Sequence, residues 1–168
     1  ASMLTGALPA IDGSALTGVG KVLQVLSDVK TDDFGTSVGG TIPNLSVTIT
    51  PSATTSKILV MASIQTSSNN GQRYGVWLQG NGVNLVVGDL VGSRTPATWI
   101  GNSPNDYSSA QKSISYLHSP NSTSSQTYTV YGDAEASSWF WCNRFHTEAN
   151  DSTFFRGVST ITVMEIGA

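Results

Sequence analysis

The chain has 168 residues and a formal net charge of −3, and only 11% of its residues are charged. It has no cluster of Lys and Arg and no run of about 18 apolar residues, which argues against nucleic-acid binding and against a membrane-spanning helix. Ser, Thr, Asn and Gly replace charges over much of the sequence, and Cys142 is the single cysteine. An internal disulfide is therefore excluded, and we expect Cys142 to be a buried apolar side chain.

Residues 1–20 form a leading segment unlike the rest. The tripeptide Leu-Thr-Gly occurs at residues 4–6 and again at 16–18, and Gly, Pro and Asp-Gly separate the apolar residues. The segment is too broken for a helix and too short to fold alone. A repeat that cannot bury its own apolar face packs on copies of itself, here on other chains. We therefore predict the end of a trimeric stalk, with an interface formed by Leu4, Leu8, Ile11, Leu16 and Val19.

From Val22 onward the pattern is one of strands and turns. Short runs rich in β-branched and aromatic residues alternate with segments rich in Gly, Pro, Asn and Ser. We predict strands at Val22–Lys30, Leu45–Thr50, Lys57–Thr66, Arg73–Gln79, Asn84–Leu90, Thr98–Ile100, Ala110–His118, Gln126–Tyr131, Trp139–Phe145 and Ser159–Ile166. No segment has a sustained helical period, so we expect almost no helix.

Residues 21–168 are therefore predicted to form one all-β head domain, a jelly-roll-like antiparallel β-sandwich. The nearly continuous apolar run Lys57–Ile64 is typical of a central strand, and Asn81-Gly82 predicts a two-residue hairpin. We expect the first and last strands, Val22–Lys30 and Ser159–Ile166, to be neighbours. Both ends of the domain would then lie beside the stalk.

Four aromatic residues are candidate binding groups. On a strand, Trp139 and Trp141 share one face and Phe140 and Cys142 share the other. Trp99 and Tyr107 flank the polar loop 101–106. Exposed aromatic rings would form a platform for sugars, whereas buried rings would pack the core or an interface between subunits. The sequence leaves both interpretations open.

Counting the strands as alternately leaving and approaching the stalk gives two sets of loops. The loops Ser67–Gln72, Val91–Pro96, Ser119–Ser125 and His146–Arg156 are predicted at the far tip, and those at Pro51–Ser56, Asn81-Gly82 and Gly101–Ser109 near the stalk. Binding groups are usually carried by loops at the end of a rigid scaffold. The predicted tip set comprises Asn69, Asn70, Gln72, Arg73, Arg94, Asn121, His146, Glu148, Asn150 and Asp151. These residues could bind sugar hydroxyls, or they could be ordinary solvated loop residues.

No pattern of metal ligands, nucleophiles or nucleotide-binding loops is present, so we expect no metal, no cofactor and no enzymatic activity. Asp133 and Glu135 are the closest approach to a pair of carboxylates for glycoside cleavage. The first residues show no basic region followed by an apolar one, so we expect no secretory leader and, for a protein that acts outside a cell, exit by another route such as lysis.

Several segments, in order along nearly the whole chain, resemble the tail fibres of bacteriophages. The run Leu8–Gly18 is similar to a repeat of fibre shafts, and Val22–Val25 to the start of the head domain that follows such shafts. The runs Leu45–Ser52, Ser56–Val60 and Arg156–Ile166 look like the same group. The resemblance implies a C-terminal, trimeric, mostly β fibre domain on the virion, and it implies no catalytic residue.

We therefore expect the receptor-binding head of a phage tail fibre, which binds a glycan or protein on the host cell. Its other partners would be two further copies of the chain and the rest of the shaft. Two alternatives remain: a structural knob, such as a head fibre or capsid decoration protein, and a polysaccharide depolymerase domain.

Overall fold

The computed structural model describes residues 21–167, which fold into eleven β-strands with no helix among them. The strands are β1 (Lys21–Lys30), β2 (Phe34–Thr36), β3 (Gly40–Ile49), β4 (Lys57–Ser68), β5 (Arg73–Gly80), β6 (Val83–Asn84), β7 (Trp99–Asn102), β8 (Ala110–His118), β9 (Gln126–Ala134), β10 (Phe140–Cys142) and β11 (Ser159–Gly167). All strand pairs are antiparallel. The predicted all-β, antiparallel class is confirmed. The predicted stalk residues Leu4, Leu8, Ile11, Leu16 and Val19 lie outside the described part of the chain.

The first sheet has the order β1-β11-β4, with β8 on the other edge of β4. The short strand β10 pairs with the end of β4, and β2 pairs with β10. The predicted neighbours are confirmed, since Lys30 pairs with Ser159 at one end of β1 and Lys21 with Gly167 at the other. The predicted central strand is also confirmed, because β4 is paired along both edges.

The second sheet has the order β3-β9-β5, and both β6 and β7 pair with the outer edge of β5. The predicted hairpin is present: Gly80 pairs with Val83, and Asn81 and Gly82 take positive φ angles of 50° and 79°. Two such residues match the right-handed twist of the strands they join.

One core lies between the two sheets, and alternate residues of the strands point into it. It contains Ile42, Leu45, Val47, Ile49, Ile58, Val60, Ala62, Ile64, Tyr74, Val76, Leu78, Tyr128, Val130, Phe140, Cys142, Ile161 and Val163. Cys142 is fully buried, as predicted. Burial raises the pKa of its thiol to about 11, so it stays protonated at neutral pH.

Glu165 is a carboxylate buried at the end of the fold that contains Lys21. Its Oε1 accepts hydrogen bonds from the backbone N–H and the hydroxyl of Ser52 at 2.7 and 2.6 Å, and its Oε2 accepts one from Nε2 of Gln24 at 2.6 Å. Burial alone would raise its pKa, but these hydrogen bonds hold the pKa below its ordinary value. The carboxylate thus connects β1, the turn after β3 and β11.

The strand directions assign the loops to two ends of the fold. We call the end at Lys21 the base and the opposite end the tip. The turns 50–56, 81–82 and 119–125 lie at the base, whereas the connections 69–72, 103–109, 135–139 and 143–158 lie at the tip. Three predicted placements are therefore wrong: Ser119–Ser125, which carries Asn121, lies at the base, and Gly101–Ser109 ends at the tip. The third is Val91–Pro96, which lies on the flank of the second sheet between β6 and β7.

The cause is the predicted strand Asn84–Leu90, of which only Asn84 is paired, together with the preceding Val83, as β6. Residues 85–98, which we call the flap, leave the sheet and return to the same edge as β7. Nε1 of Trp77 donates to the carbonyl of Pro96 at 2.6 Å, which holds the flap against the second sheet. Since β6 and β7 run in the same direction, the assumed reversal between them does not exist. β7 and each later strand up to β10 therefore run opposite to the direction assumed in the count, and only β11 agrees with it again.

Candidate functional site at the tip

Two indole rings are stacked at the tip. Trp139 precedes β10 and Trp141 lies within it, while Phe140 and Cys142 point into the core from the other face. The ring centroids of Trp139 and Trp141 are 4.9 Å apart and their planes differ by 9°. Trp139 is 40% exposed, so the stack presents an indole to solvent. This exposure excludes the core for Trp139 and fits either a platform for sugars or an interface between subunits.

Trp141 is held from two directions. It pairs with Gly35 of β2, and a Cβ added to Gly35 would lie 2.0 Å from the indole, so only glycine leaves room for the ring. The guanidinium carbon of Arg144 lies 4.2 Å from the ring centroid. A cation over an indole face is attracted by the ring quadrupole. The stack therefore rests on a preorganised support.

Asn69 links the loop after β4 to the stack. Its Oδ1 accepts hydrogen bonds from the backbone N–H of Trp139 at 2.7 Å and from the hydroxyl of Ser138 at 3.2 Å. Asn69 was predicted as a binding residue, but its amide oxygen is used within the protein. We therefore assign it the role of positioning Trp139.

His146 and Asp106 lie beside the stack. Nδ1 of His146 accepts from Nε1 of Trp141 at 3.1 Å, and its Nε2 is 4.0 Å from Oδ1 of Asp106. Nε2 of His146 also lies 3.4 Å from Nδ2 of Asn69, so both ring nitrogens have a neighbour within the protein. Asp106 also accepts from the backbone N–H of Asn70 at 2.9 Å. A carboxylate acceptor thus lies next to the exposed indole, beside an imidazole held by Trp141 and Asn69.

A closed network of ion pairs supports the loop 143–158. Arg144 and Arg156 each contact both Asp33 and Glu148 at N···O distances of 2.7–3.3 Å. Partial burial would raise the pKa of Asp33, yet the hydrogen bonds from Arg156 and Arg144 hold that pKa below its ordinary value. Glu148, predicted as a binding residue, is committed to this network and only 14% of its side chain is exposed.

Arg73 and Arg94 lie on the flank rather than at the stack. They line an open cleft of about 580 Å³ between the flap and the second sheet, together with Trp77, Asp133 and Glu135. Glu135 accepts three hydrogen bonds from Arg73, from its backbone N–H, Nε and Nη2, at 2.7–3.0 Å. These bonds lower the pKa of Glu135, and the bond from the backbone N–H of Arg73 contributes most.

The other predicted residues are distributed over both ends. Asn70 and Gln72 lie in the tip loop after β4, and the backbone N–H of Gln72 donates to the carbonyl of Asn69 at 3.0 Å. Asn150 and Asp151 are exposed in the loop 143–158, where a hydrogen bond from Thr153 lowers the pKa of Asp151. Asn121 is exposed at the base, remote from all of them.

The remaining aromatic candidates differ from each other. Trp99 is half-buried in β7 and packs against the core, and its Nε1 donates to the carbonyl of Ser113 at 3.1 Å. It therefore joins the two sheets at one edge. Tyr107 is 60% exposed at the tip, and its ring centroid is 6.1 Å from that of Phe154.

Sequence reasoning missed the residue that shapes this end most. Asn143 is fully buried with a φ of 63°, and its Nδ2 donates to the carbonyls of Lys30 and Asp32 at 2.8 and 2.9 Å. Its Oδ1 accepts from the hydroxyl of Ser159 at 2.6 Å. Asn tolerates a positive φ better than most residues, so it ends β10 and starts the long loop. An Asn directly after an aromatic strand was the available signal.

Within residues 21–167, no three His, Cys, Asp or Glu side chains are grouped so that they could hold a metal ion. The same residues contain no helix long and apolar enough to cross a bilayer. Comparison with known proteins adds no family: no family model matches the chain, and no curated protein matches it significantly.

Proposed function

We propose that the chain is the trimeric head of a bacteriophage tail fibre and that its tip binds a polysaccharide on the host cell. The observation that carries the proposal is the Trp139–Trp141 stack, which leaves an indole 40% exposed at the end farthest from Lys21. The resemblance of residues 8–18 to shaft repeats supports the virion assignment. A shaft that enters at Lys21 would direct the tip toward the cell.

The strand order supports a jelly roll as the finer fold of this head. A jelly roll wraps two Greek keys into two facing sheets, so most consecutive strands lie in opposite sheets. The long strands β1, β4, β8 and β11 belong to one sheet and β3, β5, β7 and β9 to the other. When these eight strands are taken in chain order, β5 and β7 are the one consecutive pair that lies in the same sheet.

The chemistry of the tip fits a sugar ring. The C–H groups on one face of a pyranose carry partial positive charge and are attracted to the negative face of an indole. The rim of the ring carries hydroxyls, which both donate and accept hydrogen bonds. Asp106 offers a carboxylate acceptor beside the stack, next to the imidazole of His146. A few convergent polar groups next to an apolar surface are typical of ligand sites.

The test uses purified bacterial surface polysaccharides and the full chain. Because Trp139 is 40% exposed, a bound sugar should change the tryptophan fluorescence. Trp139→Ala should weaken binding by roughly tenfold or more, which is the loss of a contact worth ~1.4 kcal/mol. Phe155→Ala is the matched control, since Phe155 is 74% exposed in the neighbouring loop and is outside the stack. Equal binding by the parent protein and Trp139→Ala would refute the proposal.

Two further outcomes identify the alternatives. Release of reducing ends from a polysaccharide would indicate a depolymerase. Within the pair of Asp133 and Glu135, Glu135 would not be the general acid, because its hydrogen bonds from Arg73 lower its pKa. Absence of binding to every polysaccharide and to susceptible cells, for a protein found on the virion, would indicate a structural knob.

A further inference from the structure

The outer face of the first sheet carries a row of apolar side chains near the base. Paired residues on neighbouring strands point to the same side of a sheet. Val25 pairs with Met164, Met164 with Leu59, and Leu59 with Leu117, so the four side chains form one row across β1, β11, β4 and β8. Val25 is 54% and Leu117 47% exposed. We call this set the apolar row.

The residues around the row extend its apolar character. Val22 pairs with Ile166 on the base side of the row, and Met61 and the exposed Val29 lie on the tip side. The other outward positions of the four strands, as far as the structure describes them, are neutral Ser, Thr and Gln residues with Lys57 at the margin. No carboxylate faces outward here, so covering this face would desolvate very little charge.

The size of this face suits a protein partner. Four strands of about nine residues span roughly 30 Å by 15–20 Å, because a strand rises about 3.3 Å per residue and neighbours lie about 4.8 Å apart. A partner of equal size would bring the total buried area to the order of 1,000 Å², the lower range for a specific interface. An exposed row of apolar side chains within an uncharged face of this extent is typical of an interaction site.

The position of the face indicates which partner covers it. The chain before Lys21 joins β1 at the base, directly beside Val22 and the apolar row. That segment contains the repeated Leu-Thr-Gly motif, proposed above to associate with its own copies. Copies joined there would bring their β1 strands, and hence these neutral faces, close together. A second copy also offers the same apolar chemistry.

We propose that the apolar row is an interface between copies of this chain. The proposal extends the trimeric assembly proposed above from residues 1–20 to the folded domain. It does not depend on receptor binding. The face is outward on every copy, so association there leaves the stack at the tip free.

Light scattering on the full chain tests the proposal with a pair of matched variants. Val25→Glu combined with Leu117→Glu places carboxylates in the row without touching the core. Val83→Glu combined with Ile100→Glu is the control, because these residues of the second sheet are 66% and 77% exposed. The row variant should weaken association by about 100-fold or more, since its carboxylates would be buried in the interface without partners. The control should keep the mass of the parent protein.

Oxidation of methionine provides an independent readout, because Met61 and Met164 both lie on this face and are half-buried in the single chain. In the assembled parent protein, peroxide should oxidise both at least about tenfold more slowly than in the row variant, because exposure controls the reaction. Two results would overturn the proposal. The first is a row variant whose mass equals that of the parent protein. The second is protection of the methionines that persists in a dissociated chain, because residues 1–20 of the same chain would then cover the face. If the double variant Leu8→Asp with Ile11→Asp dissociates and the row variant does not, the interface at the apolar row is refuted and association through residues 1–20 is supported.

Discussion

Replacing Glu165 by Gln removes one buried negative charge and changes almost nothing in shape. In the native protein the carboxylate accepts three short hydrogen bonds, two from Ser52 and one from Gln24. In the variant, one amide oxygen can still accept from Ser52. The new amide N–H₂ would face the N–H₂ group of Gln24, and two donors repel each other. Flipping Gln24 would relieve this contact but would break its 2.9 Å bond to the carbonyl of Thr50.

The expected loss follows from these three contacts. A hydrogen bond to a charged group contributes about 1.5–3 kcal/mol and a neutral one about half as much. Two bonds weakened to neutral strength and one bond lost amount to roughly 3–5 kcal/mol. The lower desolvation cost of a neutral amide offsets part of this, since burying a charge is unfavourable. We expect a decrease of about 2–4 kcal/mol in the free energy of unfolding.

Urea denaturation at one fixed protein concentration measures this loss, since unfolding of an oligomer depends on concentration. Glu135→Gln is the matched control: Glu135 also accepts three hydrogen bonds, but its partner Arg73 is 82% exposed, so the loss should be much smaller. In a Gln24→Ala background the cost of Glu165→Gln should fall, because the repulsive contact is absent. Equal losses at positions 165 and 135 would refute the reasoning.

The same substitution has a pH signature. The pKa of Glu165 in the folded protein is below 4.5, its ordinary value, so the stabilisation is complete above about pH 4.5. It is lost as the pH falls through the folded pKa. The stability difference between the parent protein and Glu165→Gln should therefore shrink in acid. A difference that stays constant down to pH 2 would contradict a charged carboxylate.

Three further predictions concern other buried groups. Burial raises the pKa of Tyr128 to about 12, above the ordinary 10, so the free energy of unfolding should fall as the pH rises from 10 to 12. In alkaline denaturation, Tyr128→Phe should remove this part of the decline. The raised thiol pKa of Cys142, about 11, predicts that iodoacetamide reacts with the native protein at least about 100-fold more slowly than with the unfolded chain at pH 8. Gly35→Ala should displace the Trp141 indole and cost about 1–3 kcal/mol, seen as a change in tryptophan fluorescence and a lower urea midpoint. Gly88→Ala should cost much less, since its added Cβ would meet nothing closer than 4.0 Å.

Strands with an alternating pattern were the part of the fold that the sequence predicted best. Leu45–Thr50 and Ser159–Ile166 alternate and bury one face, whereas Lys57–Thr66 is apolar on both faces and buries the one with Ile58 and Val60. Asn84–Leu90 pairs only at Asn84, because β7 occupies the edge of β5 from Arg73 to Val76 and leaves no edge long enough for it. The three-residue strand β2 was missed because only its pairing with β10 makes Phe34–Thr36 a strand.

The candidate site was predicted only in part, since it depends on contacts between residues far apart in the chain. The exposed face of Trp139 and Trp141 follows from alternation. The role of Asn69 depends on a bond to a residue 70 positions later, and that of Asp106 on a position beside His146. Both require the direction of each strand, which the unpredicted flap inverted. Polar loop residues therefore looked equivalent in the sequence, although some support the loops and others face solvent.

The flap has a consequence for how proteins of this kind could vary. On β5, Val76 pairs with Trp99 and Gln79 with Asn84, so Trp77 and Leu78 are the only residues between the two paired stretches. Two residues could bridge β6 and β7 where the chain uses the fourteen residues 85–98. The additional residues form a loop outside the sheet and leave the register of both sheets unchanged. Insertions, deletions or exchanges of this segment could therefore accumulate on the flank of the domain without a change to its core, and shortening it to two residues would leave β6 and β7 as one continuous strand.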